Sequence, residues 1–324
     1  MDPLAHFLDG PRAARAFALS MHMSAPWGVS IRDGAALTIL AVVHGRVRID
    51  GTLLEGGDVA LVRGPEPYRV TDAAASTPTI EIGPDQRCTT LEGRSVREEY
   101  RRGIRRWGNA ADGETSLLVG TYERPDEAGR FVTRALPRLA VVRRDRTDTT
   151  LVDLLGQEIA HDDPAAQIVV DRLLDVLVVS TIRRWLSGPD RPPGSTWLTC
   201  DDALVVRALE YLHADPAAPW TVERLAQHVN TSRASLAARF RAGVGRSPMN
   251  YLTHWRLTLA SDLLQDPAAT VARVARSVGY QNAYAFSTAF RRELGVTPSE
   301  YRQRRPELSA ELPVTLPRKA GSAV

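Results

Sequence analysis

The 324-residue chain lacks most of the patterns that mark secreted, membrane-spanning or metal-binding proteins. Its two cysteines, Cys88 and Cys200, cannot build a disulfide framework, and no CxxC pair suggests a zinc site. It contains no run of about 18 apolar residues, so we expect no membrane-spanning helix. The N-terminus has no basic segment followed by an apolar one, so we expect no signal peptide. These absences favour a cytoplasmic protein.

Lysine is nearly absent, and because Lys319 is the only one, arginine supplies the basic charge. The net charge of +3 conceals an uneven distribution. Residues 203–305 hold 14 arginines against 7 acidic residues, whereas residues 1–202 hold 25 arginines against 29 acidic residues. A basic C-terminal part beside a mildly acidic N-terminal part indicates that only the C-terminal part binds a polyanion.

Two C-terminal stretches repeat each other, one beginning at Thr221 and the other at Thr270. The match continues through Phe-Arg pairs at 240–241 and 290–291 and through two Gly-x-x-Pro stops. Each copy reads as a threonine-capped short helix, a tight turn and a second helix. Because internal repeats fix the architecture, the pattern predicts two helix-turn-helix units. A helix over Met249–Leu264 would act as a stiff spacer between them.

The second helix of each unit, Arg233–Ala242 or Ala283–Leu294, is the one expected to enter a major groove, and successive grooves lie about 34 Å apart. Small side chains let the backbone approach thymine methyl groups, and hydroxyl groups can bond base edges. Arginines later in each helix are suited to grip phosphate. The residues with these roles are Ala234, Ala238, Arg239, Ser287, Thr288, Arg291 and Arg292, and Arg233 is also expected on the outward, DNA-facing side of the first recognition helix.

The N-terminal half has a different periodicity. Residues 1–17 fit an amphipathic helix, and from about 27 to 142 short strands alternate apolar and polar residues. Asp50-Gly51 and Gly56-Gly57-Asp58 are hairpin turn signals. Many short strands separated by turns predict a β-barrel or jelly roll. Residues 84–114 contain few apolar positions and read as a long excursion.

From about residue 148 the period becomes helical, and two helices reach as far as Leu186. Their apolar stripe is too wide for lone surface helices, so we expect the sheet or a second subunit to cover it. A Pro/Gly-rich segment from Ser187 to Ser195 marks the most distinct domain boundary.

The C-terminal part carries four motifs, namely Pro219-Trp220-Thr221-Val222, Trp255-Arg256-Leu257, the run from Ala275 to Tyr280, and Gly295-Val296-Thr297-Pro298. Through them, residues 203–305 resemble the DNA-binding domain of AraC/XylS-type bacterial transcription regulators. The resemblance implies an operator in double-stranded promoter DNA, RNA polymerase as a partner and activation as the commoner outcome. The base contacts it implies are Ala234, Ala237 and Ala238 in the first recognition helix, and Ala283, Tyr284, Ser287 and Thr288 in the second.

The N-terminal part carries His44-Gly45, Leu54-Glu55-Gly56-Gly57-Asp58-Val59, Gly120-Thr121-Tyr122 and a helix ending Arg183-Arg184-Trp185-Leu186. Through these motifs it is similar to the cupin-type sensor domain of one subgroup of the same regulators. The resemblance implies a small-molecule effector. Binding sites are mostly apolar with a few polar groups, and the candidate effector-binding residues are Trp27, His44 and Tyr68. We expect no cofactor and no metal.

The chain is therefore predicted to be an α+β multidomain regulator and not an enzyme. The predicted domains are a cupin-like sensing β-barrel (jelly roll) at 1–147, a helical hairpin for dimerisation at 148–187, a linker at 188–200, an all-α AraC-type double helix-turn-helix at 201–305 and a disordered tail at 306–324. We expect a homodimer in the cytoplasm, associated with the nucleoid, in which the effector changes how the barrel and hairpin hold the DNA-binding domain.

Two alternative functions remain open from the sequence. A metal-dependent cupin enzyme tethered to DNA needs about three protein ligands, yet Arg46 follows His44 and Tyr68 stands where a second histidine is often found. A thiol-based oxidant sensor would use Cys88, whose pKa Arg87 and Arg94 would lower if they lay nearby.

Overall fold

The computed structural model describes most of the chain between its two ends. The described residues are 16–122, 133, 135–161, 166–189, 197–266 and 268–303. The expected tail, nearly all of the expected N-terminal helix and part of the expected linker lie outside these residues. Within the described ranges, no helix combines the length and apolar character needed to cross a membrane.

The N-terminal part is built from two six-stranded sheets. In spatial order, the first sheet contains β10 (Arg106–Trp107), β1 (Ala16–Met23), β11 (Thr115–Tyr122), β3 (Leu37–His44), β6 (Val59–Arg63) and β12 (Leu139–Val142). The second contains β5 (Thr52–Glu55), β4 (Arg46–Ile49), β7 (Tyr68–Asp72), β2 (Gly28–Ile31), β8 (Ile80–Gly83) and β9 (Arg87–Thr90). The pairings of β1 with β10 and of β2 with β8 are parallel.

One hairpin turn lies where the sequence predicts it. Asp50 and Gly51 have φ values of 45° and 84°, which are the left-handed values that a two-residue hairpin turn of this kind requires. They place Ile49 opposite Thr52 and join β4 to β5 in antiparallel register. Asp50 also accepts a hydrogen bond from the backbone N–H of Arg69 at 2.9 Å, which ties the turn to β7.

Buried side chains from both sheets form one apolar cluster, so the sheets pack face to face. Met23, Trp27, Leu40, Ile49 and Leu117 in this cluster are at most 4% exposed. None of the described strands pairs across the two sheets. The double-sheet arrangement expected for a jelly roll is therefore present, whereas the described strands show no closure into a barrel.

Two local expectations for the N-terminal part are wrong. Ala16 and Phe17, expected at the end of a helix, belong to β1, which pairs with β11 along its length. Residues 84–114, expected to be an excursion, contain β9, the one-turn helix α1 (Arg97–Tyr100) and β10. Cys88 and Trp107 are each only 8% exposed in the cluster between the sheets. Val96, which is 2% exposed, belongs to the same cluster. A few well-placed apolar side chains therefore anchor a segment that is otherwise polar.

Helices α2 (Thr149–Ala160) and α3 (Ala166–Leu186) cover the other face of the first sheet. Successive side chains of a strand point to opposite faces, so β3 and β11 contribute to both apolar clusters. Gly120 on β11 permits the close approach, because a Cβ there would lie 2.5 Å from Leu174 on α3. The sheet therefore covers much of the apolar stripe predicted for these helices.

Helices dominate the described residues that follow. They are α4 (Ala203–Ala214), α5 (Val222–His228), α6 (Arg233–Val244), α7 (Pro248–Leu263), α8 (Val271–Ser277), α9 (Ala283–Leu294) and α10 (Pro298–Gln303). The chain divides into two compact units. One contains the described residues up to Asp215 together with Trp220–Tyr251, and the other contains Pro216–Pro219 with the described residues from Leu252 onward.

Candidate nucleic-acid interface

The predicted recognition helices, α6 and α9, have matching ends. Ser232 and Asn282 each accept a hydrogen bond from the backbone N–H three residues further on, at 3.1 and 2.8 Å. Gly245 and Gly295 end the helices with φ values of 78° and 76°, a left-handed conformation that glycine adopts most readily. Both helices are 12 residues long and begin at the predicted residue.

Each helix-turn-helix unit holds its recognition helix against a small apolar core. Leu225, Leu236 and Phe240 are fully buried in the first unit, and Phe286 and Phe290 are fully buried in the second. The rings of Phe286 and Phe290 lie 5.4 Å apart. Because these side chains occupy one face of each helix, the opposite faces of α6 and α9 are left for contact with a ligand.

The exposed face of α9 presents polar groups to solvent. Tyr284 is 84% exposed, Thr288 is exposed and Ser287 is half-buried. Arg291 and Arg292 follow on the same helix, and neither forms an ion pair within the described residues. Hydrogen-bonding groups near the start of the helix and cations near its end suit base contact and phosphate contact respectively. Ala283, predicted to join them, is half-buried at the first position of the helix.

Two of the three arginines of α6, Arg233 and Arg239, are already engaged by carboxylates, whereas Arg241 is exposed. Arg233 pairs with Glu223 at 2.9 Å. The guanidinium of Arg239 donates two hydrogen bonds to Asp202, both of 2.6 Å. The alanines predicted to contact bases are Ala234 and Ala238, which are exposed, and Ala237, which is half-buried.

Asp202 has a second role at the start of α4. Its Oδ1 accepts hydrogen bonds from the backbone N–H groups of Leu204 and Val205, at 2.9 and 3.3 Å, and so caps the helix. The hydrogen bond from Arg239 is the main reason that the pKa of Asp202 lies below its usual value, although partial burial opposes it. Arg239 therefore links α6 to α4, a contact that sequence reasoning missed because the partners are 37 positions apart.

Trp197, in the predicted linker, begins a chain of contacts that ends on α6. It packs against the apolar cluster of α2, α3 and the first sheet. Its ring meets that of His213 edge to face, 5.9 Å away. The Nε2 atom of His213 lies 2.6 Å from the Tyr251 hydroxyl, and the Tyr251 ring lies 5.8 Å from that of Phe240. Burial lowers the pKa of His213 to about 3, so its imidazole is neutral near pH 7.

The three candidate effector-binding residues lie apart from one another. Trp27 and Tyr68 are buried between the sheets. Trp27 lies beside Asp72, and Tyr68 lies opposite Ile31 at the other end of β7, a separation of about 13 Å along the strand. His44 is exposed at the end of β3, and its Nε2 lies 2.8 Å from a backbone carbonyl oxygen. The indole N–H of Trp27 is buried without a hydrogen-bond partner among the described residues.

Cys88 lacks the environment of a reactive thiol. It is buried between the sheets, and its Sγ lies 3.6 Å from the carbonyl oxygen of Gln86. Burial raises the pKa of the thiol, and the cation that partly opposes this is Arg97, not Arg87 or Arg94. The oxidant-sensor alternative, which needs an accessible low-pKa thiol, therefore gains no support, because the side chain belongs to the apolar core.

The metal-enzyme alternative gains no support from the described residues. They contain no group of three or more His, Cys, Asp or Glu side chains that could hold a metal ion. Instead, a two-sheet domain precedes two capped helix-turn-helix units. This combination defines a two-sheet domain joined to a double helix-turn-helix domain of the class that binds DNA.

Comparison with known proteins places the chain in a family. Residues 2–187 match the family described as Cupin, and residues 225–304 match the family described as Helix-turn-helix domain. AraC-like transcription regulators of Streptomyces antibioticus and Streptomyces lividans are each 31% identical over 94% of this chain, and over 99% and 98% of their own lengths. The chain belongs to the AraC-like transcription regulators with a cupin-type N-terminal domain. The names of its relatives confirm the prediction of a regulator and not an enzyme.

Two solved structures each match about a third of this chain. The C-terminal domain of AraT, a response regulator from Geobacillus stearothermophilus, is 31% identical and covers 32% of this chain and 87% of that one, with a TM-score of 0.31. The DNA-binding domain of AdpA, solved in complex with a target DNA, is 30% identical and covers 32% of this chain and 96% of that one, with a TM-score of 0.30.

Proposed function

We propose that this protein is a sequence-specific activator that binds operators in double-stranded promoter DNA and is controlled by a small-molecule effector in its cupin-type domain. The observation that carries the proposal is the exposed face of α9, where Tyr284, Ser287 and Thr288 precede two arginines that have no acidic partner in the described chain. Because its target is chromosomal DNA, the protein would act in the cytoplasm, on the nucleoid, and there recruit RNA polymerase.

DNA recognition is divided unequally between the two units in this proposal. In α9 the hydroxyl groups of Ser287 and Thr288 bond base edges, flanked by Ala283 and Tyr284. The arginines that follow grip phosphate and set the position of the helix on the duplex. In α6 the three alanines offer methyl contacts and close backbone approach, so this helix reads shape more than hydrogen-bonding pattern.

Genome-wide mapping of the protein, followed by binding assays on a recovered site, tests this division. Ser287→Ala should weaken discrimination at its own base position by about 1 kcal/mol, the contribution of one neutral hydrogen bond. Arg291→Gln should weaken binding to all sequences alike. Glu210→Gln, an exposed change on α4, is the matched control and should do neither. Broad occupancy by the wild-type protein, with no sequence preference, would refute specific regulation.

The effector signal would reach the DNA-binding part through the contacts that begin at Trp197. The first sheet separates the two apolar clusters and contributes side chains to both, so a ligand beside the buried indole of Trp27 would disturb the cluster that Trp197 touches. The effector must bind the DNA-competent arrangement more tightly than the other, because otherwise it shifts nothing.

Two substitutions test this route with a transcription reporter and an effector drawn from the chemistry of the mapped genes. Trp197→Ala removes the first contact, and Tyr251→Phe removes only the hydroxyl that meets His213. Both variants should bind DNA and lose most of the effector response. Tyr211→Phe, at an exposed ring on α4, is the control. A full response in both test variants would refute the route.

Exposed apolar side chains support the proposal that α2 and α3 mediate a homodimer. Leu154, Val169 and Val176 are 42%, 41% and 46% exposed. Val169 and Val176 are seven positions apart and so share one face of α3. Light scattering should give a dimer mass for the wild type and a monomer mass for Val176→Asp. Ile104→Asp, at an exposed residue outside these helices, should remain dimeric. A monomeric wild type would contradict the proposal.

A further inference from the structure

An open pocket of about 550 Å³ lies on the outside of the cupin-type domain, at the end of α3. Its lining residues are Asp145, Arg146, Ser180, Arg183, Arg184 and Ser187. The last four recur at i, i+3, i+4 and i+7, so they share one face of the helix and the turn that follows it. Three guanidinium groups against one carboxylate make the lining cationic.

Arg184 is fixed in this pocket by three hydrogen bonds. Its guanidinium donates to Ser180 Oγ at 3.3 Å, to the carbonyl oxygen of Arg146 at 2.9 Å and to Asp148 Oδ2 at 3.1 Å. Arg146 donates in return to the carbonyl oxygen of Arg184. The two segments that form the pocket are therefore joined directly to each other.

The 3-10 turn at Arg144–Arg146 is anchored from behind by Asp58. This carboxylate is 3% exposed. It accepts hydrogen bonds from Arg143 Nη1 at 2.8 Å and from the backbone N–H of Arg144 at 2.9 Å. The wall of the pocket is thus held on the connection between β5 and β6, which limits the reorganisation needed for a ligand to bind.

Two cations of the lining have no carboxylate partner among the described residues. Arg183 is exposed, and its guanidinium makes no hydrogen bond or ion pair there. Arg146 donates only to a carbonyl oxygen. The planar guanidinium group can donate two parallel hydrogen bonds to a pair of oxygens of a phosphate or a carboxylate, and the hydroxyl groups of Ser180 and Ser187 add neutral polar atoms beside it.

We infer that this pocket binds the phosphate or carboxylate group of a small anionic molecule. A ligand in this pocket would lie next to the start of the linker, because the guanidinium of Arg146 packs on Gly188, where an added Cβ would overlap it. The predicted linker to the DNA-binding part begins at that residue. Naming the anion an effector rests on the proposed function, whereas its binding does not.

Calorimetric titration of the full-length protein at constant ionic strength tests the inference with inorganic phosphate, citrate and, as the neutral probe, glucose. At least one of the two anions should bind, and glucose should not. Arg183→Gln should weaken anion binding about tenfold or more, as expected for lost charge-assisted hydrogen bonds. Arg87→Gln removes one positive charge from β9, outside the pocket, and should bind like the wild type.

Three results would overturn the inference. One is the absence of binding by either anion up to about 10 mM. Another is equal weakening by Arg183→Gln and Arg87→Gln, which would indicate a general charge effect. The third is a smaller salt dependence of DNA binding in Arg183→Gln without any anion, which would make the cluster a contact to the DNA backbone. Failure of the protein to bind DNA at all would refute the proposed function, but the anion titration would still test whether the pocket binds anions.

Discussion

The ion pairs of the two recognition helices predict which arginines grip DNA. Arg239 is held by Asp202 through two hydrogen bonds of 2.6 Å, whereas Arg291 makes no ion pair among the described residues. Contact with phosphate would require Arg239 to give up its carboxylate partner, and Arg291 has none to give up. We therefore expect Arg291→Gln to remove a phosphate contact and Arg239→Gln to remove none.

The size of the effect follows from counterion release. Each phosphate contact on double-stranded DNA contributes about 0.9 to the slope of log K against log of salt concentration. When the salt concentration rises fourfold, the affinity of a variant that has lost one contact should therefore fall by a factor about 3.5 times smaller than that of the wild type. Arg239→Gln should keep the wild-type slope and instead lower the melting temperature, because it breaks the link between α6 and α4.

Fluorescence anisotropy with one labelled operator, measured at several salt concentrations, gives both slopes, and Glu210→Gln serves as the control. The reasoning fails if Arg239→Gln flattens the slope as much as Arg291→Gln does. That result would mean that Asp202 releases Arg239 when DNA arrives. It would restore the phosphate role that the sequence suggested for Arg239.

Three further predictions concern stability. The pKa of His213 is about 3 in the folded protein and 6.5 in the unfolded chain. As the pH falls, the unfolded chain therefore gains a proton first, and the free energy of unfolding should decrease below about pH 6.5. Denaturant titrations between about pH 6.5 and 4.5 should show a weaker decrease in His213→Gln, and identical profiles would contradict the burial argument. Gly295→Ala should lower the free energy of unfolding by about 1 kcal/mol, because its φ is 76° but no other atom lies within 4 Å of the added Cβ. A larger loss in thermal melts would indicate a steric clash and contradict this prediction. Asp58→Asn should cost about 1.5–3 kcal/mol by weakening the hydrogen bond from Arg143, and an unchanged melting temperature would show that the turn does not need this anchor.

The helical part of the fold could be predicted closely because its signals are local. The caps at Ser232 and Asn282 and the stops at Gly245 and Gly295 lie within one turn of the helix ends that they define. The repeat then supplied a second, independent reading of each feature. The buried faces follow the 3.6-residue period, and Phe240 and Phe286 are fully buried on them.

The sheet part was harder because its determinants are distant in sequence. Residues 87–107 are mostly polar, and it is the burial of Cys88, Val96 and Trp107 in the folded protein that shows this segment packing on the core. The environment of Cys88 stayed open for the same reason, since adjacency to Arg87 in the chain says nothing about which side of the strand the thiol faces. Likewise Asp202 gives no local sign that it pairs with Arg239.

The three alanines of α6 have a consequence for how binding sites evolve. A helix that meets bases only through methyl groups contributes little information to a site, so the operator should consist of one well-defined block under α9 and one degenerate block under α6. Promoter mutations in the degenerate block would change expression slightly and accumulate neutrally. New sites could then arise by acquiring a single short sequence motif. The number of genes that such a regulator controls would be set by the frequency of that motif in the genome.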